Sequence, residues 1–146
     1  EAASFRLTET DLIVAVVQEK LARLASLPMH WHEPSNLLHY RPGQEYQPHY
    51  DFIDPRAPAF RDELMVLGQR VATCLVYLND DFDGGETAFP RLGWKYRGRP
   101  GDMLLFQNLV ANGQPDFSSL HAGLPPTRGE KWLLSLWIRN RVQPIT

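Results

Sequence analysis

Apolar and polar positions follow two different rhythms along this chain. Near the N-terminus, Leu12, Ala15, Val16, Glu19, Leu21 and Leu24 recur at mixed 3- and 4-residue spacing. That period suits one buried face of an amphipathic helix, here expected to pack against a sheet. Thr8 or Thr10 is the candidate N-cap, Glu9 and Asp11 sit near the positive end of the helix dipole, and Pro28 is expected to end the element. After Pro34 the rhythm shortens. β-prone runs at residues 36–40, 46–52, 70–78, 92–97, 102–106 and 132–139 alternate with turn sequences such as Arg41-Pro42-Gly43, Asp83-Gly84-Gly85 and Arg99-Pro100-Gly101-Asp102. Short strands with no intervening helices predict an antiparallel sandwich or barrel rather than βαβ units. Residues 53–69 are charged and poorly patterned, and read as a mobile loop over the scaffold.

Composition narrows the class. The chain has 146 residues, one domain's worth, with 43% hydrophobic and 22% charged residues. A formal charge of -2 lacks the Lys/Arg excess of a nucleic-acid or anionic-membrane binder. The longest apolar run, from Leu12 to Val17, is far short of the ~20 residues of a transmembrane helix. The single cysteine, Cys74, excludes an internal disulfide framework and a multi-Cys zinc site. As a buried thiol it fits a reducing compartment, and a cytoplasmic location is the expectation.

Chemistry is concentrated in the histidines. His49-Tyr50-Asp51 places an imidazole and a carboxylate at i and i+2, on one face if the segment is a strand. Two ligands on one strand with a third from elsewhere can form the 2-His-1-carboxylate set that suits non-haem Fe(II). By itself His-x-Asp is more often a surface polar pair. His121, in Ser119-Leu120-His121-Ala122-Gly123, is a second plausible ligand. Lys131 opens the last apolar run, where a half-buried ammonium needs an anionic partner. His30 and His32 flank Trp31 in a Pro-bounded loop and are expected to be exposed, and His39, between apolar neighbours, to be structural.

The segment Tyr40-Arg-Pro-Gly-Gln-Glu-Tyr-Gln-Pro-His-Tyr-Asp51 resembles the first iron-binding motif of the collagen and plant-type prolyl 4-hydroxylases, which are 2-oxoglutarate/Fe(II)-dependent dioxygenases. The likeness continues in register from about residue 36 to 140. It runs through Gly68-Gln69-Arg70-Val71-Ala72-Thr73, Tyr77-Leu78-Asn79, Gly84-Gly85-Glu86-Thr87-Ala88-Phe89-Pro90 and Gly101-Asp102-Met103-Leu104-Leu105-Phe106, then through residues 116–123, Gly129-Glu130-Lys131-Trp132 and Trp137-Ile138-Arg139. Lys at position 131, where oxygen-sensing relatives use Arg, favours the collagen and plant branch.

The resemblance implies a mainly β single domain over residues 1–146, with an N-terminal helix: a double-stranded β-helix, or jelly-roll. It implies His49, Asp51 and His121 as iron ligands and Lys131 as the partner of the distal carboxylate of 2-oxoglutarate. Tyr40 and Thr87, with Tyr77 as a third, match positions that hydrogen-bond the co-substrate. Tyr46, Arg70 and Trp137 match positions lining a peptide groove. The implied reaction consumes O2 and 2-oxoglutarate, yields succinate and CO2, hydroxylates prolyl residues of a peptide or protein, and uses ascorbate as reductant. Lys131, Leu133, Ser135 and Trp137 alternate onto one strand face, so anchor and aromatic are expected to share a cavity. Arg139 stands where some relatives carry His, which leaves that part of the groove open. The start on Glu1 resembles a point inside the family's catalytic domain, so upstream buttressing helices are expected to belong to a longer protein. Three other readings keep parts of this picture: the same chemistry on a free amino acid or other small molecule, a non-catalytic metal-binding jelly-roll, and a zinc hydrolase. The last lacks an independently placed general base and leaves Lys131 unexplained.

Overall fold

A computed structural model describes residues 2–5 and 12–144. In chain order the elements are β1 (Ala2–Phe5), α1 (Leu12–Ala25), β2 (Ser35–Tyr40), β3 (Tyr46–His49), α2 (Arg61–Leu67), β4 (Arg70–Tyr77), β5 (Asp83–Gly84), β6 (Thr87–Phe89), β7 (Trp94–Tyr96), β8 (Met103–Gln107), β9 (His121–Gly123), β10 (Pro126–Arg128) and β11 (Lys131–Arg139). All pairings are antiparallel. A five-stranded sheet runs β1-β2-β11-β4-β8, a four-stranded sheet runs β3-β9-β6-β7, and β10 pairs with β5. These are the facing sheets of the expected jelly-roll.

The large sheet is covered on both faces, and strand alternation sorts its side chains between them. Leu136 and Ile138 of β11, with Ala72 and Cys74 of β4, meet Leu21 of α1 in one buried cluster. Lys131, Leu133, Ser135 and Trp137 project to the opposite face and line one cavity, as their spacing predicts.

Helix α1 packs by a different face from the one its strongest apolar residues suggest. Gln18, Leu21 and Ala22 are buried, whereas Leu12, Val16 and Leu24 are 79%, 48% and 64% exposed. The sheet admits the slimmer side, and Gln18 satisfies its amide there by donating from Nε2 to Ser35 Oγ at 3.1 Å. The expected cap residues Thr8 and Thr10, with Glu9 and Asp11, lie outside the described residues. The helix stops before Pro28. Ser26 adopts φ 55°, its N–H donates to Arg23 O and that of Leu27 to Ala22 O, the two bonds of a Schellman ending.

Three other expectations need correcting. The run 46–52 is a strand only as far as His49, with its register against β9 shifting between Tyr46 and His49, because Pro48 has no N–H to give the ladder. Residues 53–69 contain a 3-10 turn at Pro58–Phe60 and α2, tied to the C-terminal segment by Gln143 Nε2 donating to Leu67 O at 3.1 Å and by Arg141 donating to Met65 O. His30 is exposed as expected, but His32 is only 4% exposed, since its segment bridges to Ile138 of β11. His39 is structural: it is buried, stacks on Trp132 at 3.9 Å and meets Glu130 Oε2 at 2.8 Å. No helix among the described residues is long and apolar enough to cross a membrane.

Candidate functional site

Strand pairing assembles the first half of the site. In the small sheet His49 of β3 lies directly opposite His121 of β9, and their ring centroids are 4.3 Å apart. Asp51, two residues beyond His49, turns its buried carboxylate toward both. Its Oδ1 is 3.5 Å from His49 Nε2 and its Oδ2 is 3.4 Å from His121 Nε2. One ligand atom from each of the three lies within 4.8 Å of the others.

The tautomers follow from the outer hydrogen bonds. His49 Nδ1 donates to Gln47 O at 2.7 Å and His121 Nδ1 to Ser119 O at 3.0 Å, because a carbonyl oxygen can only accept. In its neutral form each ring therefore turns an unprotonated Nε2 toward the carboxylate. Burial holds the His121 pKa below its usual value and so keeps that ring neutral. Burial opposes the charge on Asp51, but a positive charge shared with His49 and His121, together with the Thr73 hydroxyl, outweighs it and holds the carboxyl below the usual range. In the neutral form of the rings two lone pairs and a carboxylate converge, an arrangement that a bound cation resolves. The donor set fits a divalent first-row metal with open positions, iron included.

Asp51 is held from behind by two residues that sequence reasoning passed over. Thr73 Oγ1 donates to Asp51 Oδ2 at 2.7 Å, and Asn108 Nδ2 donates to Thr73 Oγ1 at 3.0 Å. Thr73 and Asn108 are fully buried. The available signal was the alternation of Thr73, Leu75 and Tyr77 along β4, which puts a hydroxyl on the cavity side; nothing local marks Asn108. Phe89 and Phe106 flank the His121 ring at 5.8 and 4.8 Å.

Lys131 forms the other half. It lines the same cavity of about 130 Å³ as the triad and is 0% exposed rather than half-buried. Among the described residues its Nζ has no hydrogen-bond partner, and it sits 5.0 Å from the Tyr40 ring and 5.5 Å from the Tyr77 ring. Burial lowers its pKa to about 8, with Glu86 opposing the shift, so the group is largely charged at neutral pH. An unpaired buried ammonium is costly unless an anion enters to meet it.

The remaining expected residues are distributed around this axis. Tyr40 and Thr87 line the cavity, and burial pushes the Tyr40 phenol up to about 12. Tyr77 does not line it. Its hydroxyl donates to Tyr96 O at 2.9 Å and so accepts from Thr87 Oγ1 at 2.8 Å, fixing the Thr87 hydroxyl from behind. Tyr46, 48% exposed, and Trp137 line the same cavity. Arg70 lines an adjoining hollow of about 560 Å³, walled by Tyr50, Phe52, Phe60 and Phe117, and Asp51 borders both. Arg139 borders neither; it is 1% exposed and ion-paired to Glu33 and Glu63.

Residues 35–139 match the family model described as "2OG-Fe(II) oxygenase superfamily". The chain belongs to that superfamily. Among curated relatives, a probable prolyl 4-hydroxylase 6 of Arabidopsis thaliana is 40% identical over 150 residues, covering 90% of this chain and 50% of the relative. A putative prolyl 4-hydroxylase of Acanthamoeba polyphaga mimivirus is 35% identical over 136 residues, covering 92% and 56%. This 2OG-Fe(II) oxygenase chain thus spans about half the length of the curated relatives it matches. Among solved structures, the viral collagen prolyl hydroxylase of Paramecium Bursaria Chlorella virus-1 in its 2OG complex superimposes with a TM-score of 0.77 at 31% identity, covering 95% of this chain and 78% of that one.

Proposed function

We propose that this chain is the catalytic part of a 2-oxoglutarate- and O2-dependent Fe(II) hydroxylase acting on prolyl residues of a peptide or protein. The observation that carries the reading is the pairing, in one cavity, of a His-Asp-His cluster with a buried ammonium that has no hydrogen-bond partner among the described residues. A dicarboxylate with a metal-binding end satisfies both. The prolyl specificity is supported by relatives described as prolyl 4-hydroxylases.

His49, Asp51 and His121 would hold Fe(II). Bound iron would supply the coupling of oxidative decarboxylation of 2-oxoglutarate, giving succinate and CO2, to hydroxylation of a C–H bond, with ascorbate as reductant. The protein's own part is placement. Lys131 neutralises the distal carboxylate of 2-oxoglutarate, and the hydroxyl of Tyr40 donates to it; Thr87, whose one hydroxyl hydrogen goes to Tyr77, lines the cavity beside them. Tyr77 keeps the Thr87 hydroxyl in place and lends a π-face to the ammonium. Leu75 and Leu133 give the cavity dry walls, which strengthens the ion pair. Tyr46, Trp137 and Arg70 stand toward the open side, where a peptide has room to lie.

The test is succinate release from 2-oxoglutarate with Fe(II), with and without a proline-rich peptide. Peptide-stimulated turnover is expected. Turnover that no peptide changes would move the substrate to a small molecule, and no turnover by iron-loaded protein would leave a binding module.

A further inference from the structure

The groove side of the site carries a partly buried ionic cluster that the hydroxylation chemistry does not use. β11 and β4 place Arg139 directly opposite Arg70, beside a register shift between Ile138 and Arg139. Like charges facing each other across a ladder repel. Glu33 resolves the conflict. Its Oε1 accepts from Arg70 Nε at 2.7 Å and from Arg139 Nε at 2.6 Å, while its Oε2 accepts from Arg70 Nη2 at 2.9 Å. Arg139 is further held by Gly68 O and by Glu63 Oε1 of α2, each at 2.6 Å. Two arginines and two glutamates leave the cluster neutral.

Glu33 also reaches the cavity wall by its backbone. Its N–H donates to Trp137 O at 2.9 Å. The Arg70 guanidinium that it grips lies over the Trp137 ring at 3.9 Å. Trp137, Glu33 and Arg70 therefore form a closed loop of one backbone bond, one two-point ion pair and one stacking contact. Arg70 Nη1 takes no part in these bonds, and Arg70 lines the larger hollow, so this nitrogen is left as a donor there. A planar guanidinium fixed at one edge and one face has little rotational freedom left to lose on binding.

We propose that Glu33, clamped by Arg139, is a positioning residue for peptide recognition. It sets the Arg70 donor against Trp137 where the two hollows meet, ready for a main-chain carbonyl of the peptide. Through the bond from Arg139 to Glu63, the same clamp fixes α2, which walls the larger hollow. The inference rests on the peptide-hydroxylase reading above.

The experiment compares wild type, Glu33→Asp, Arg70→Ala and the double variant, each as the full chain with Fe(II), 2-oxoglutarate and a proline-rich peptide. Glu33→Asp keeps the charge, but its shorter side chain cannot span both arginines. Its peptide KM should rise roughly tenfold with kcat within about threefold. KM for 2-oxoglutarate and the Kd for Co(II), read by calorimetry, should stay at wild-type values. In the Arg70→Ala background, Glu33→Asp should add little, because it acts through Arg70. Amide exchange in residues 61–67 should quicken in Glu33→Asp and also in the milder Glu63→Gln. Unchanged peptide KM in Glu33→Asp, full additivity with Arg70→Ala, or a Co(II) Kd that weakens as much as peptide KM would each overturn the inference. If wild type shows no peptide-stimulated turnover, the functional reading and the inference fall together.

Discussion

Thr73 donates its hydroxyl hydrogen to Asp51 Oδ2 at 2.7 Å, with both side chains buried. The bond leaves Oδ1 as the freer oxygen and fixes the plane of the carboxylate between two histidine rings. Thr73→Val keeps the shape and removes the donor. Co(II) affinity should then fall about 10- to 100-fold, the usual cost of losing an outer-shell partner. Asn108 Nδ2 loses its acceptor at the same time, so a stability loss of about 1–3 kcal/mol is expected. Calorimetric titration with Co(II) and urea unfolding check both, and unchanged metal affinity would remove Thr73 from the site.

Lys131 gives a pH signature. Burial lowers its pKa from 10.5 to about 8, so the native state holds fewer protons than the unfolded chain between those values. Stability of the ligand-free protein should therefore rise with pH across that window, and the cost of the buried charge is constant below it. Affinity for 2-oxoglutarate needs the charged form. It should be level below pH 8 and fall about tenfold per unit above it. Lys131→Met should abolish that dependence, weaken 2-oxoglutarate binding, and raise the Tm of the ligand-free protein. A Tm that drops instead would mean that the ammonium has a partner.

Acid sensitivity should trace in part to His32. Both its ring nitrogens are buried without partners among the described residues, and burial lowers its pKa to about 4. Between pH 6.5 and 4 the unfolded chain binds a proton that the native ring refuses. Stability is therefore fully present above pH 6.5 and lost as pH falls toward 4. His32→Leu should flatten this part of the Tm-against-pH curve. An unchanged acid limb would assign it to other groups.

Gly98 is a packing requirement. A Cβ there would lie 2.3 Å from the Tyr77 ring, which is fully buried and cannot retreat while its hydroxyl bridges Thr87 and Tyr96. Gly98→Ala should destabilise the fold by about 1–3 kcal/mol and weaken 2-oxoglutarate binding through the displaced Thr87. Urea unfolding and the KM for 2-oxoglutarate measure the two effects. A variant as stable as wild type would show that Tyr77 has somewhere to go.

What was legible early was whatever local pattern encodes. The strand at 131–139 and the common face of Lys131, Leu133, Ser135 and Trp137 follow from period-two alternation, which a half-buried strand imposes on its own sequence. Helix α1 was legible as a helix, but its buried face was not. Leu12, Ile13 and Val16 make it apolar around much of its circumference, so periodicity left the contact face undetermined and the sheet selected the Gln18, Leu21 and Ala22 side. α2 was hidden because its residues, Arg61–Leu67, are held by distant partners, chiefly Arg139, Arg141 and Gln143, rather than by a strong local pattern.

The site divides in the same way. Residue types and their order, His49-x-Asp51, then His121, then Lys131, are properties of the chain and point to a metal and an anion before any coordinate is known. Their meeting is not. His121 faces His49 because β3 pairs with β9, and Lys131 joins them because β11 lies between β2 and β4 in the opposite sheet. The burial that leaves the Lys131 ammonium without a partner, the Thr73–Asn108 support of Asp51, and the Glu33 clamp between two facing arginines all depend on sheet register. Register is a sum of many weak long-range contacts, and no short stretch of sequence carries it.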